Sequence, residues 1–434
     1  MFPRFTNALA CALLLALAAS AQSPDPSTPK QRISLIRDLG KKSPQAIPAI
    51  ARYLRDPDRG VRVEAVKALV KLDTPASLTP LIEATRDNDP EIQIRATDGL
   101  VNDYLPGYVV TSGLTGPFTR GVRQAKAFFN SRSDRVIDAA TTIRPDVAQA
   151  LARLITGAAS DDARANAARA AGILRARPAV PALEKALQSK DSDTIFESLV
   201  ALQKIGDRSA GPAVSFLALD LDQNVQDVAL ETIGVLRSKS SAPEVRIALR
   251  NARSSKIRRA ALDTLAILGL PADRLVFLEY ARDSDADLRI SALEGLGRIR
   301  EPKDEPVLET GYNQKNVDAK VHLAAAFALV DEGNVSRSEF APLTYLIENL
   351  DQPGRGDTAV AYLTELCRRE DVRKAVFAAV PQANKDQKIA LCSVFAAVHA
   401  RDAIPVLNKL SRDLDPDVSF AAAKALHTVQ TRRA

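Results

Sequence analysis

Residues 47–69 read IPAIARYLRDPDRGVRVEAVKAL. Pro48 is followed by apolar residues at helical spacing as far as Leu54, then by Asp56-Pro57-Asp58, then by Val61-Arg62 with Ala65, Ala68 and Leu69 on one helical face. Proline is tolerated in the first turn of a helix, where its missing N–H has no partner to lose. Aspartate before a helix accepts from its free N–H groups and complements the positive end of its dipole. The stretch therefore predicts a short helix, a tight Asp turn and a second, Ala-rich helix. Small residues on the second helix allow close packing against a neighbour.

The same register returns at Pro80, Pro181, Pro212, Pro243, Pro306, Pro342 and Pro405, and units without the proline begin at Ala148, Arg274 and Arg373. Most steps are 31 to 33 residues; the step from Pro80 to Ala148 is 68 and that from Pro306 to Pro342 is 36. Eleven units result, with an additional helix before them around Gln31 to Leu39. Asp58, Asp89, Asp193, Asp285 and Asp415 are the expected turn caps, and Leu100, Leu202, Leu265, Leu296, Leu329 and Leu426 repeat the role of Leu69. One helix pair cannot bury its own apolar stripe, so the pairs must stack. The expected fold is all-α, an α/α superhelical solenoid of about eleven helix pairs with one non-repeat insert. Composition agrees: aromatics are 5%, Trp is absent and Gly numbers only 19 in 434 residues, a texture that favours helices over sheets.

This pattern resembles the HEAT family, and in particular the short bacterial HEAT-like repeats first named for phycobilisome lyases. The resemblance runs from about Gln31 to Val429 apart from one insert. It implies a ladder between units made by an Asp in the turn and an Arg near the start of the second helix. The Arg position holds Arg62, Arg164, Arg258 and Arg289, but Gln93, Ile195, Gln226, His322, Ala359, Lys388 and Ser419 elsewhere, so the ladder is interrupted. The motif describes a fold and names no ligand.

The repeats divide into residues 31–101 and 146–434, separated by an insert over 102–145. Gly107, Gly113, Gly116 and Gly121 lie in it with several of the chain's few aromatics. Tyr104, Tyr108, Phe118, Arg120, Arg123, Phe128 and Phe129 are its candidate partner-binding residues, since loops on a rigid scaffold tend to carry function. The competing reading is a loop with a small core of its own. Val136-Ile137 and Ala139 to Ile143 read as short strands.

Residues 1–21 carry Arg4, an apolar run from Ala8 to Ala19 and the sequence Ala19-Ser20-Ala21, the three parts of a secretory signal peptide. Residues 22–30 then form a Pro/Ser-rich linker, and a periplasmic or secreted protein is expected. Lys and Arg total 59 against 53 Asp and Glu, with the signs interspersed, which points away from nucleic acid and leaves membrane-surface association as a lesser alternative. Arg250, Arg253, Lys256, Arg258 and Arg259 are the stretch that alternative would use.

The search for chemistry returns no catalytic residue, metal ligand set or cofactor motif. His322, His399 and His427 fall in different units, and Asp413, Asp415 and Asp417 lack the Gly and distal Glu of a calcium loop. Cys367 and Cys392 lie in adjacent units; an oxidising compartment permits a disulfide between them, and two buried free thiols are the other outcome. The expectation is a non-enzymatic scaffold for a protein or peptide partner. A lyase-related enzyme or accessory protein and an envelope-associating protein stand as alternatives.

Overall fold

The computed structural model describes residues 28–41, 43–109, 136–138, 141–315 and 317–431. Among them are twenty-three α-helices and no strand. The chain forms two compact units, the first ending at Asp207 and the second beginning at Arg208, so the division falls between the fourth and fifth helix pairs and not at the insert.

The first unit contains α1 (Pro29–Leu39), α2 (Ile47–Ala51), α3 (Arg59–Leu72), α4 (Leu78–Ala84), α5 (Pro90–Tyr104), α6 (Pro145–Gly157), α7 (Asp161–Ile173), α8 (Val180–Ala186) and α9 (Ser192–Ile205). The second contains α10 (Gly211–Val214), α11 (Gln223–Val235), α12 (Ala242–Arg250), α13 (Ser255–Leu268), α14 (Arg274–Tyr280), α15 (Ala286–Ile299) and α16 (Glu305–Asn313). It continues with α17 (Ala319–Glu332), α18 (Pro342–Glu348), α19 (Gly356–Leu366), α20 (Glu370–Ala379), α21 (Lys385–Ala397), α22 (Ile404–Leu410) and α23 (Pro416–Thr431). After α1, every even-numbered helix is the first member of a pair, shorter than the second except in α6 and α7, and every odd-numbered helix the second. Eleven pairs and a leading helix result, as the repeat spacing predicts.

Local chemistry explains the boundaries. Asp58 accepts from the Val61 N–H at 3.0 Å, Asp89 from Glu91 and Ile92, Asp285 from Asp287, and Asp415 from Asp417 and Val418. Asp193 is a correction. It lies inside the first turn of α9, and Asp191 is the cap, accepting from the Thr194 N–H at 2.8 Å and its hydroxyl at 2.5 Å. The short turn there offers two aspartates, and the one that also captures a threonine hydroxyl takes the role.

Ala65, Ala68, Leu69, Ala325, Ala328, Ala422 and Ala425 are buried, as the small-residue face requires. Two glycines take that logic to its limit. A Cβ on Gly172 of α7 would lie 2.7 Å from the Ala201 Cα of α9, and one on Gly297 of α15 would lie 2.5 Å from the Ala328 Cα of α17. Only glycine lets these backbones touch.

The expected strands are absent from residues 136–138 and 141–144. Instead the Ile137 N–H donates to the Ile173 carbonyl at 3.0 Å, tying the returning chain to the end of α7. Among the described residues, no helix is long and apolar enough to cross a membrane.

Candidate functional site

In a solenoid each repeat touches only its neighbours. The second helices of the second unit depart from that. Arg298 on α15 donates through Nε and Nη2 to the Glu365 carboxylate on α19, at 3.1 and 2.9 Å, across 67 residues. Glu365 also accepts from Arg237, just past the end of α11, at 3.4 Å across 128 residues. Arg298 donates to Glu294 one turn back at 2.8 Å, and Glu294 accepts from the Tyr362 hydroxyl at 2.5 Å. Phe327 of α17 closes the arrangement, stacking on Tyr362 with centroids 4.7 Å apart and lying 4.9 Å below the Arg298 guanidinium.

The electrostatics follow from this enclosure. Burial opposes the Arg298 charge, but the hydrogen bonds and fields of Glu365 and Glu294 outweigh it and hold the guanidinium protonated. Burial likewise pushes the Glu365 carboxyl up, and Arg298 and Arg237 bring it below the ordinary value. The Tyr362 hydroxyl is raised well above 10.0, first by burial and then by Glu294. Asp263 of α13 feels the charges of Glu294 and Arg298, with its side chain reached by solvent. Burial and the neighbouring Glu294 push its carboxyl up to about 6.

Beside this network is a cavity of about 300 Å³. Its walls carry six cations (Arg237, Lys239, Arg298, Arg300, Arg368 and Arg369) and two acids (Asp331 and Glu365). Helix C-terminal ends attract cations because their free carbonyls point outward, and most of these residues follow or end a second helix. The acids are already engaged: Asp331 accepts from Arg300 at 2.7 Å and lies 3.6 Å from Arg369, while Glu365 holds Arg298 and Arg237. Lys239 and Arg368 are exposed and make no side-chain hydrogen bond or ion pair among the described residues. Arg237 and Arg300 stand in left-handed backbone, with φ of 52° and 57°, where other pairs place Gly206 and Gly269.

Residues 12–101 match the family model described as HEAT repeats. Over that stretch the chain is similar to the HEAT-repeat family. No curated protein matches it. Among solved structures it is similar to Kap121p, with a TM-score of 0.40 and 13% identity, over 97% of this chain and 51% of that one. The chain thus spans about half the length of Kap121p. It is also similar to an engineered protein (TM-score 0.34, 17% identity, 94% of this chain and 97% of that one). A third is the complex of CpcE and CpcF of phycocyanin lyase from Nostoc sp. PCC7120 (TM-score 0.29, 17% identity, 80% and 97%).

The Asp–Arg ladder that the resemblance implies is present in fragments. Arg62 Nε reaches Asp87 of the next turn at 2.7 Å, and Lys388 reaches Asp413 at 2.9 Å in the same register. Arg289 instead donates to the carbonyls of its own turn, Asp283 at 2.7 Å and Ser284 at 3.1 Å. Of the insert residues, Tyr104 ends α5 and its hydroxyl accepts the Arg144 N–H at 3.0 Å, pinning the point where the chain re-enters the array. Tyr108 lies in the turn beyond α5, and Asn102 holds that turn by accepting from the Val109 N–H at 2.8 Å. Phe118, Arg120, Arg123, Phe128 and Phe129 lie outside the described residues. Residues 1–21, where a signal peptide is expected, do too.

A Cys367–Cys392 disulfide is not formed. Both are buried free thiols, and burial pushes them up to about 12 and about 11. The proposed basic stretch is partly consumed: Lys256 pairs with Asp227 at 2.9 Å, and Arg259 with Asp285 and Asp287 at 2.6 and 2.9 Å. His322 bonds the Gln314 carbonyl at 2.6 Å. Among the described residues no group of three or more His, Cys, Asp or Glu side chains is placed to hold a metal ion.

The cavity residues escaped the sequence reading because five helix pairs contribute them. Their one local trace is arginine at Arg237 and Arg300, in the slot that Gly206 and Gly269 fill elsewhere.

Proposed function

We propose that this chain is an exported HEAT-repeat scaffold that binds a protein or peptide partner and has no catalytic activity of its own. The observation that carries the reading is the cross-braced recess of the second unit, which presents unpaired cations on a rigid set of helices. Residues held by Arg298, Glu365 and Tyr362 lose little freedom on binding, and preorganisation favours affinity. The insert supplies a second contact region, anchored through Tyr104 and Asn102. Export rests on the three-part segment of residues 1–21.

Two measurements test this. N-terminal sequencing of the protein recovered outside the cytoplasm should begin at Gln22; a chain retained inside the cell with residues 1–21 intact contradicts export. Tagged full-length chain should retain a partner in stoichiometric amount from a periplasmic extract, and deletion of residues 107–134 should weaken that retention while the array still melts cooperatively. Retention of nothing by either form removes the scaffold reading.

A further inference from the structure

We infer that the cation-lined cavity of the second unit is a receptor for a carboxylate-bearing segment, that is, an acidic stretch of the protein partner. The inference rests on the scaffold reading and names the chemistry of the partner. Its first support is that the cavity already recognises carboxylates. Glu365 accepts from two nitrogens of Arg298, at 3.1 and 2.9 Å, and Asp331 accepts from Arg300 at 2.7 Å. Forked pairing of this kind matches the planar guanidinium to a planar carboxylate.

Its second support is the remainder. Six cations meet two acids, and Lys239 and Arg368 keep their donors free on the exposed rim. Like charges gathered around one recess repel one another, and an incoming carboxylate relieves that repulsion. Its third support is the backbone. Arg237 and Arg300 hold left-handed conformations at φ of 52° and 57°, which cost a non-glycine residue free energy. Glycine at Gly206 and Gly269 meets the same turn without that cost, and of the three arginines that occupy it Arg237 and Arg300 line the cavity while Arg175, in the first unit, makes no ion pair among the described residues.

The cavity volume of about 300 Å³ is at the small end of ligand sites, enough for one or two acidic side chains and not for a large cofactor. A partner segment would lay its glutamates or aspartates across Lys239 and Arg368, with the rest of its chain along the second helices.

The experiment uses the full chain and a fluorescein-labelled hexaglutamate peptide, followed by anisotropy. Wild type should bind it, should ignore hexaglutamine, and should weaken as NaCl rises from tens to hundreds of millimolar. The variant Lys239→Gln/Arg368→Gln alters two exposed, unpaired side chains, so its melting curve should match wild type. Its affinity should fall about 100-fold, about tenfold for each charge-assisted hydrogen bond removed. Equal binding by the variant, or no binding by wild type at millimolar protein, overturns the inference. So does binding of inorganic phosphate alone with the peptide excluded, which would make the cavity a small-oxyanion site. Failure here and failure of the scaffold reading are separable: a partner retained equally by wild type and variant keeps the scaffold and removes the cavity, whereas peptide binding without any retained partner does the reverse.

Discussion

The second helices of the two units carry similar buried polar groups and use them differently. In the first unit Asp98 accepts from Asn166 at 3.2 Å, and Arg169 donates to Glu197 at 3.1 and 2.6 Å. Each of these bonds joins neighbouring second helices, α5 to α7 and α7 to α9. In the second unit Glu365 passes over its neighbour to reach Arg298 and Arg237, two and four pairs away. The first arrangement reinforces a stack one step at a time, so opening spreads only to adjacent helices. The second makes distant pairs depend on one carboxylate, and it does so at the wall of the cavity. A repeat protein can therefore build a site without leaving its repeat, by bracing helices that are remote in sequence.

The largest test removes that carboxylate. Glu365→Ala takes two hydrogen bonds from Arg298, whose side chain is only 11% exposed, and should cost about 2–3 kcal/mol, under the value for an uncompensated buried charge because Glu294 still pairs with Arg298 and Glu365 is partly solvated. Hydrogen exchange should accelerate in α11 and α15 as well as in α19. Glu197→Ala should cost a similar amount, with the acceleration confined to α7 and α9. Identical local footprints for the two variants would remove the contrast. Next in size is Tyr362→Phe, which leaves Glu294 without its hydroxyl donor and should cost about 1–2 kcal/mol in urea melts. A neutral result would show that water replaces the hydroxyl.

The divisions between helix pairs were legible because they are written locally. Proline within the first turn, aspartate in the connecting turn and alanine at helical spacing each act within a few residues, and all eleven pairs and α1 fall where that spacing puts them. Asp193 shows the limit of resolution: with Asp191 two residues away, only the three-dimensional capture of Thr194 decides which one caps. The recess is another matter. Its residues are separated by up to 128 positions, and their meeting depends on how each pair rotates against the next, which no short pattern encodes. The insert was legible as a break in the repeat, and its two described tyrosines lie at or near the end of α5.

Two smaller effects sharpen the contrast further. Asp263 titrates near 6 in the folded chain against an ordinary 3.8, so between these values the folded state binds the proton better than the unfolded state. Its contribution to stability is thus present below about pH 4 and lost as pH rises through about 6. Asp263→Asn should be the more stable chain above that range, by about 1 kcal/mol after allowing for the solvent that reaches the group, and equal to wild type near pH 4. A difference that persists unchanged at pH 4 would assign the effect to packing.

The smallest effect compares two arginines in the same left-handed slot. Arg175 in the first unit, at φ 46°, makes no ion pair among the described residues, whereas Arg237 in the second, at φ 52°, reaches Glu365 at 3.4 Å. Arg175→Gly releases backbone strain and gives up no pairing, so it should stabilise by about 0.5–1 kcal/mol. Arg237→Gly releases the same strain but removes one strut of the brace, so its gain should be smaller or absent. The difference between the two melting shifts measures what the Arg237–Glu365 pair contributes. If both variants gain equally, the reach across four pairs adds no stability, and the brace rests on Arg298 alone.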